Sequence, residues 1–483
     1  MIAACALLAA IAAHPTPQSP DSLPASPAAT VFREWLRAVN SRDTAVIRAY
    51  ALGYEAERPD DPASVQEAVD NILGVARQSG GLRLVQWVAR SPEQLELTLE
   101  DAGGRRLLMR FGVELVGGGY RVADIGLRPA GAAGASGPAP FPDGLALSTL
   151  ADSVSRRIDQ LAARGQFDGA LLLASADGPP LLRRAWGEAN RASGADNTPD
   201  TRFTLASTGK MFTAVAIAQL VERNRVALDS PVARYLPDYP DREFARRATV
   251  RQLLNHTSGL GSYWGAEFER RRAELLTPSD HLPLFVNEPR PFEPGARFRY
   301  SNAGFQVLGV IIERVSGLSF YDYVQRNIFA PAGMTRTGYY TPSGQAPDNT
   351  ALGYTGDGGQ LRDNENGREI RGGPAGGGFS TVDDLLRFGR ALLGGSLIRR
   401  ATLDQLTSGS SDGGRYGLGF MTIGEGAARA FGHNGGAPGM GTWFLVWPER
   451  GMIEVLLTNR DPGLMAAIQQ PFMRAIAHPG VVP

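Results

Sequence analysis

The chain has 483 residues, of which 43% are hydrophobic and 20% charged, the composition of a soluble globular protein long enough for two domains. Lys plus Arg and Asp plus Glu both number 49, so the formal net charge is zero, and neither a nucleic-acid partner nor a cationic membrane-surface segment is indicated. The one cysteine, Cys5, lies in an apolar leader, which leaves the rest of the chain without a disulfide, a cysteine nucleophile or a thiolate metal site. Lys210 is the only lysine; the other 48 cations are arginine. A buried lysine can lose its proton in a protein, whereas an arginine cannot.

Residues 1–20 open with MIAACALLAAIAA and end in A-x-A-like spacing before Pro15. Apart from the missing basic start, this is the pattern of a signal peptide, and it predicts a secreted or periplasmic protein. No later apolar run reaches about 18 residues, so no transmembrane span is expected. Residues 28–129 read as a small α+β domain. Val31, Phe32, Trp35, Leu36 and Val39 form one helical stripe, and Val65, Val69, Ile72, Leu73 and Ala76 form another. Alternating runs follow at Leu95, Leu97, Leu99 and at Met109, Phe111, Val113, with turns at Gly103-Gly104 and Gly117-Gly118-Gly119, which predicts an antiparallel meander. Helices followed by such a sheet resemble the cone-shaped NTF2-like fold. No catalytic constellation is visible there, and a binding module with an unidentified partner is a competing site of function. Residues 130–144 are a Pro/Gly/Ala linker.

Residues 145–483 form the larger domain. A helix is predicted over Leu150–Leu161, then a hairpin turning at Asp177-Gly178. After a helical middle, strands are expected at Tyr416–Thr422, Arg429–His433, Thr442–Trp447 and Ile453–Leu457, and a helix at Met465–Ile476. Strands at both ends of a helical middle predict one antiparallel sheet completed by distant segments and flanked by helices. No internal repeat is present.

Three short motifs in this domain carry chemistry. Ser207-Thr208-Gly209-Lys210 opens the apolar stretch MFTAVAIAQLV, which reads as a buried helix. Lys210 at i+3 shares a face with Ser207, and burial together with the positive helix end is expected to make its amine a usable base. A serine hydroxyl needs such a neighbour to become a nucleophile. Alone, the same residues would also suit a helix cap and a surface lysine. Tyr300-Ser301-Asn302 precedes the apolar helix Phe305–Val315. A phenol can relay a proton and an amide can hold a carbonyl, although a plain loop tyrosine is the simpler reading of that triplet by itself. His433-Asn434-Gly435, followed by Gly436, closes a strand, where a glycine lets a substrate backbone lie along the edge.

In order, S-x-x-K, Y-x-N and H-x-G resemble the serine β-lactamase and penicillin-binding superfamily, in the style of class C β-lactamases, D,D-peptidases and related esterases. The resemblance covers roughly 145–478 and includes LLNHTSGL at 253–260 and PAGGGFSTVDDLLRFGRALL at 374–393. In the second stretch Thr381 and Asp384 suggest a capping-box variant, and its glycines, like His256 in the first, read as structural. The resemblance implies that Ser207 is acylated, that Lys210 and Tyr300 share the proton work in an order left open, and that Asn302 orients the substrate. It also implies that the N–H groups of Ser207 and Gly436 stabilise the oxyanion, with His433 and Gly435 contacting the substrate. No cofactor or metal is required, and the partner is a small-molecule or peptide substrate: D-amino-acid peptides, small esters or β-lactams. The third motif lacks the lysine and threonine of K-T-G, and no E-x-x-L-N element appears, so β-lactams are expected to be poor substrates. With a reference pKa of about 6.5, His433 would anchor an anionic substrate better as pH falls toward 6. The alternative is a penicillin-binding sensor that is acylated but does not turn over.

Overall fold

The computed structural model describes residues 23–55, 62–116, 118–129, 141, 145–288, 290, 292–356, 361–364 and 370–477. The leader 1–20 and nearly all of the linker lie outside the described residues. The chain divides into two compact units, Met1–Gly137 and Pro138–Pro483.

In the first unit, helices α1 (Pro27–Ser41), α2 (Thr44–Tyr50) and α3 (Pro62–Ser79) precede a four-stranded antiparallel meander. Its strands are β1 (Leu82–Ser91), β2 (Gln94–Asp101), β3 (Arg106–Val116) and β4 (Gly119–Pro129). Ser26 caps α1 through its side chain, and Val31, Phe32, Trp35 and Val39 bury one stripe of it. That stripe meets the sheet through Phe111, whose ring lies 5.5 Å from Phe32 and 6.3 Å from Trp35. Strands β1 and β4 complete the pair legible in the sequence.

The second unit is built on a six-stranded antiparallel sheet. Helix α4 (Leu147–Ala163) leads into β5 (Gly169–Ser175) and β6 (Pro180–Trp186). The helical middle contributes α5 (Lys210–Glu222), α6 (Ala266–Arg271), α7 (Asn302–Ser316) and α8 (Val382–Leu393). The chain then returns as β7 (Met421–Ile423), β8 (Ala430–Ala437), β9 (Met440–Trp447) and β10 (Met452–Thr458) before α9 (Met465–Ala477). Sheet order is β7-β8-β9-β10-β5-β6, so β10 pairs with β5 along its whole length, from Met452↔Ser175 to Thr458↔Gly169. Alternate side chains of these strands face two cores. Leu172, Phe444, Ile453 and Val455 join the core around α5 and α7, whereas Leu171, Leu445, Met452 and Leu456 join one with α4 and α9. Burial on both faces explains the largely apolar sequences of β5 and β10. The predicted strand from Tyr416 begins only at Met421; Tyr416 forms isolated bridges to Ser411 and Met421 and is buried. Among the described residues, no single helix is long and apolar enough to cross a membrane.

One acid interrupts the β10 run. Glu454 is fully buried, and Gln469 Nε2 of α9 donates to it at 2.6 Å. Burial pushes its carboxyl up to about 8. The folded protein therefore holds a proton that the unfolded chain releases above about pH 4.3, and stability falls as pH rises through that window. Glu454→Gln keeps the neutral shape. Its melting temperature should exceed that of the wild type by an amount that grows from pH 5 to pH 8, reaching roughly 2 °C or more. A difference that stays constant with pH in calorimetric scans would contradict this.

Candidate active site

Helix α5 is apolar all round, and every residue from Lys210 to Leu220 is buried. It is a core helix, and it starts without a side-chain cap. Ser207 lies just before it, in a 3₁₀ turn spanning Ala206–Gly209. Ala206 has φ 45°, a left-handed conformation that a non-glycine residue keeps only when its surroundings enforce it. Two segments do so. From the Gly-rich loop, Gly377 N–H donates to Ala206 O at 2.9 Å, and Leu205 N–H donates to Gly378 O at 3.1 Å. From the sheet, the Thr442 hydroxyl donates to Leu205 O at 3.0 Å and lies 2.6 Å from the Thr208 hydroxyl. The Gly-rich loop arrives by the pairing of Phe379–Ser380 with Phe203–Thr204, and it leaves into α8, capped by the Thr381 side chain. Asp384 does not complete a capping box. Its carboxylate instead accepts from Arg336 N–H, Thr337 Oγ1 and Arg387.

Lys210 is fully buried. Its Nζ lies 3.3 Å from Ser207 Oγ and 2.7 Å from Asn302 Oδ1, and it also bonds Ala375 O of the Gly-rich loop. Asn302 reaches this point because it is the first residue of α7, whose cap, Ser301, accepts from Gly304 N–H and donates to Gly261 O. Tyr300 precedes the cap. The residue is 37% exposed, and its phenol interacts with Ser207. Burial raises its pKa above the ordinary phenol value, with the Ser207 bond acting the other way, so it is a neutral phenol at neutral pH. Lys210 Nζ is 4.8 Å from the centre of its ring.

His256 holds this segment in place. Its buried ring lies 4.3 Å from that of Tyr300, tilted by 40°, and its Nδ1 accepts from Ser301 N–H at 3.1 Å. Burial first, then the charges of Lys210 and His433, press its pKa well below the usual range. The ring is therefore neutral, and its proton sits on Nε2, which has no hydrogen-bond partner among the described residues. Its backbone is left-handed, with φ 61°. The structural role expected for it amounts to positioning the Tyr300–Asn302 segment.

The third motif departs from expectation at His433. His433 does not meet a substrate through its ring, which is buried, 1% exposed. Its Nδ1 bonds Asn434 O, an acceptor, so Nδ1 carries the hydrogen and Nε2 accepts from Tyr416 Oη at 2.9 Å. Burial and the nearby Lys210 charge lower its pKa to about 3. Gly435 serves the packing of the chain itself. A Cβ there would come within 2.9 Å of Ser207 N, 2.6 Å of Leu205 O and 2.5 Å of Thr442 Oγ1, so this glycine lets β8 lie against the Ser207 turn. Gly436 is exposed and, with Ser207 and Asn302, lines a cleft of about 470 Å³. Tyr416 was not singled out by sequence because a lone tyrosine among glycines carries no spacing signal. Among the described residues, no group of three His, Cys, Asp or Glu could hold a metal.

With His433 neutral down to about pH 3, the kcat/KM ratio of an anionic substrate to a neutral ester should stay flat from pH 8 to pH 6. A several-fold rise toward pH 6 in parallel profiles would show that His433 titrates there after all.

Residues 154–478 match the family model described as Beta-lactamase. The chain is 30% identical over 339 residues to Penicillin-binding protein 4* of Bacillus subtilis, covering 66% of this chain and 74% of the relative. It is 33% identical over 221 residues to Esterase EstB of Burkholderia gladioli, covering 43% and 55%. Among solved structures, D-amino acid amidase from Ochrobactrum anthropi superposes with TM-score 0.58 at 26% identity, over 68% of this chain and 97% of that one.

Proposed function

This chain belongs to the Beta-lactamase family, and from that membership we propose that it is a serine hydrolase that cleaves peptide-like amides or esters through an acyl-enzyme on Ser207. The observation that carries the reading is the placement of Ser207 Oγ between Lys210 Nζ, at 3.3 Å, and the Tyr300 phenol, on the wall of the cleft. Relatives named as an esterase and as an amidase fit amide or ester substrates.

Two of the oxygens around Lys210 Nζ are carbonyl acceptors, and the third is the Ser207 hydroxyl. A neutral amine can donate to both carbonyls and take the Ser207 proton on its lone pair, and the resulting ammonium can donate to all three. Proton transfer from Ser207 to Lys210 thus needs no rearrangement. Ser207 Oγ then bonds to the substrate carbonyl carbon, and the negative charge that develops on the carbonyl oxygen meets the N–H groups of Ser207 and Gly436. Tyr300, a phenol held against Ser207, gives its proton to the leaving amine or alcohol and is reprotonated from Lys210. Asn302 has its oxygen engaged by Lys210, which leaves its NH₂ for a substrate carbonyl. Water releases the acyl group by the reverse sequence. The apolar leader supports a secreted or periplasmic location.

Initial rates on a p-nitrophenyl ester and on D-phenylalanine amide test this. Lys210→Arg keeps the charge but cannot accept a proton, so it and Lys210→Met should both lose kcat by roughly 10²–10⁴-fold. An Arg variant that retains most of the activity would reduce Lys210 to electrostatic support. A burst without steady-state turnover in the wild type would replace the hydrolase by a penicillin-binding sensor.

A further inference from the structure

Among the described residues lining the cleft there is one carboxylate, Glu269, and neither a lysine nor an arginine. Glu269 is exposed on the short helix α6. The acids around it are paired, Glu267 with Arg270 at 2.6 Å and Glu274 with Arg271 at 3.1 Å, whereas no ion pair among the described residues engages Glu269. Beside it on the same cleft, Trp264 is 47% exposed and stacks on Tyr263, with ring centres 5.4 Å apart. Tyr263 is in turn fixed by Gln306, which donates to its hydroxyl at 3.2 Å. Phe268 of α6 packs 4.3 Å from Trp264, so the indole and the helix that bears Glu269 form one rim. Lys210 is fully buried and does not line the cleft.

An unpaired carboxylate and an exposed indole attract the same kind of group, a cation, the first by charge and the second by its π-face. We propose that Glu269, with Trp264, selects substrates carrying an ammonium group and disfavours those carrying a carboxylate, an inference that rests on the hydrolase reading for where the substrate sits. Glu269 is thus a specificity determinant that takes no part in the acyl transfer.

Binding can be measured apart from turnover in the full chain carrying Ser207→Ala. Titration calorimetry with D-phenylalanine amide and with its N-acetyl derivative compares a cation with a neutral ligand of like shape. The amide should bind about fivefold tighter, the upper range for an exposed ion pair, and less so as salt is raised. Adding Glu269→Gln should bring the ratio close to one, and Glu269→Lys should shift preference to an N-succinyl derivative. If the amide binds no tighter than its acetylated form in Ser207→Ala, or the ratio is the same with Glu269→Gln, the inference is overturned. Absence of ester turnover by the wild type, with the binding preference intact, would refute the hydrolase reading and leave the role of Glu269 standing.

Discussion

A Cβ added at Gly376 would come within 2.5 Å of Ala206 O, and one at Gly435 within 2.6 Å of Leu205 O. The turn that carries Ser207 is therefore gripped by two backbones that can approach only because neither has a side chain at the contact. Everything else at the site follows from this grip. It holds Ala206 at positive φ, seats Ala375 O against Lys210 and places the exposed end of β8, Gly436, on the cleft beside Ser207. The three segments lie far apart in sequence. They meet because β10 closes onto β5, which joins the two ends of the unit into one sheet, and because α5 runs through the core beneath it.

Electrostatics complete what packing begins. Lys210 and two histidines, His256 and His433, are buried beside the rings of Tyr300 and Tyr416. Burial disfavours charge on each imidazole, and the neighbouring amine disfavours it further. Both histidines are consequently neutral hydrogen-bonding struts. His256 braces the segment that presents Tyr300 and Asn302, and His433 is tied to Tyr416. In the proposed reading the proton then moves among Ser207, Lys210 and Tyr300, the division of labour that acyl transfer requires. Farther out, the carboxylate at Glu269 and the indole of Trp264 give the cleft a preference for cations.

What was legible in the sequence was what local spacing encodes. Ser207 and Lys210 three apart before an apolar stretch, Tyr300 and Asn302 before another, and the strands at both ends of the larger domain are short-range patterns with a direct physical cause. What was not legible depended on long-range contact. The His433 ring gave no sign that Tyr416, 17 residues earlier, would bury it and bond its Nε2. Nor does the spacing around Gly435 reveal that the chain's own Ser207 turn packs against it. Strands β1 and β4 lacked a clean alternation. The register of β1 shifts between Leu84 and Gln86, and that of β4 is interrupted opposite Gly112 and Val113, which breaks the two-residue period that sequence reading relies on.

The claim on which all of this turns is that Ser207 Oγ is the atom that becomes acylated. The full chain, mixed with a p-nitrophenyl ester, quenched in acid within the first turnovers and analysed by intact mass and peptide mapping, tests that directly. One acyl group should appear, on the peptide containing Ser207, and Ser207→Ala should acquire none. An acyl group mapped to another residue, or full labelling of Ser207→Ala, would contradict it.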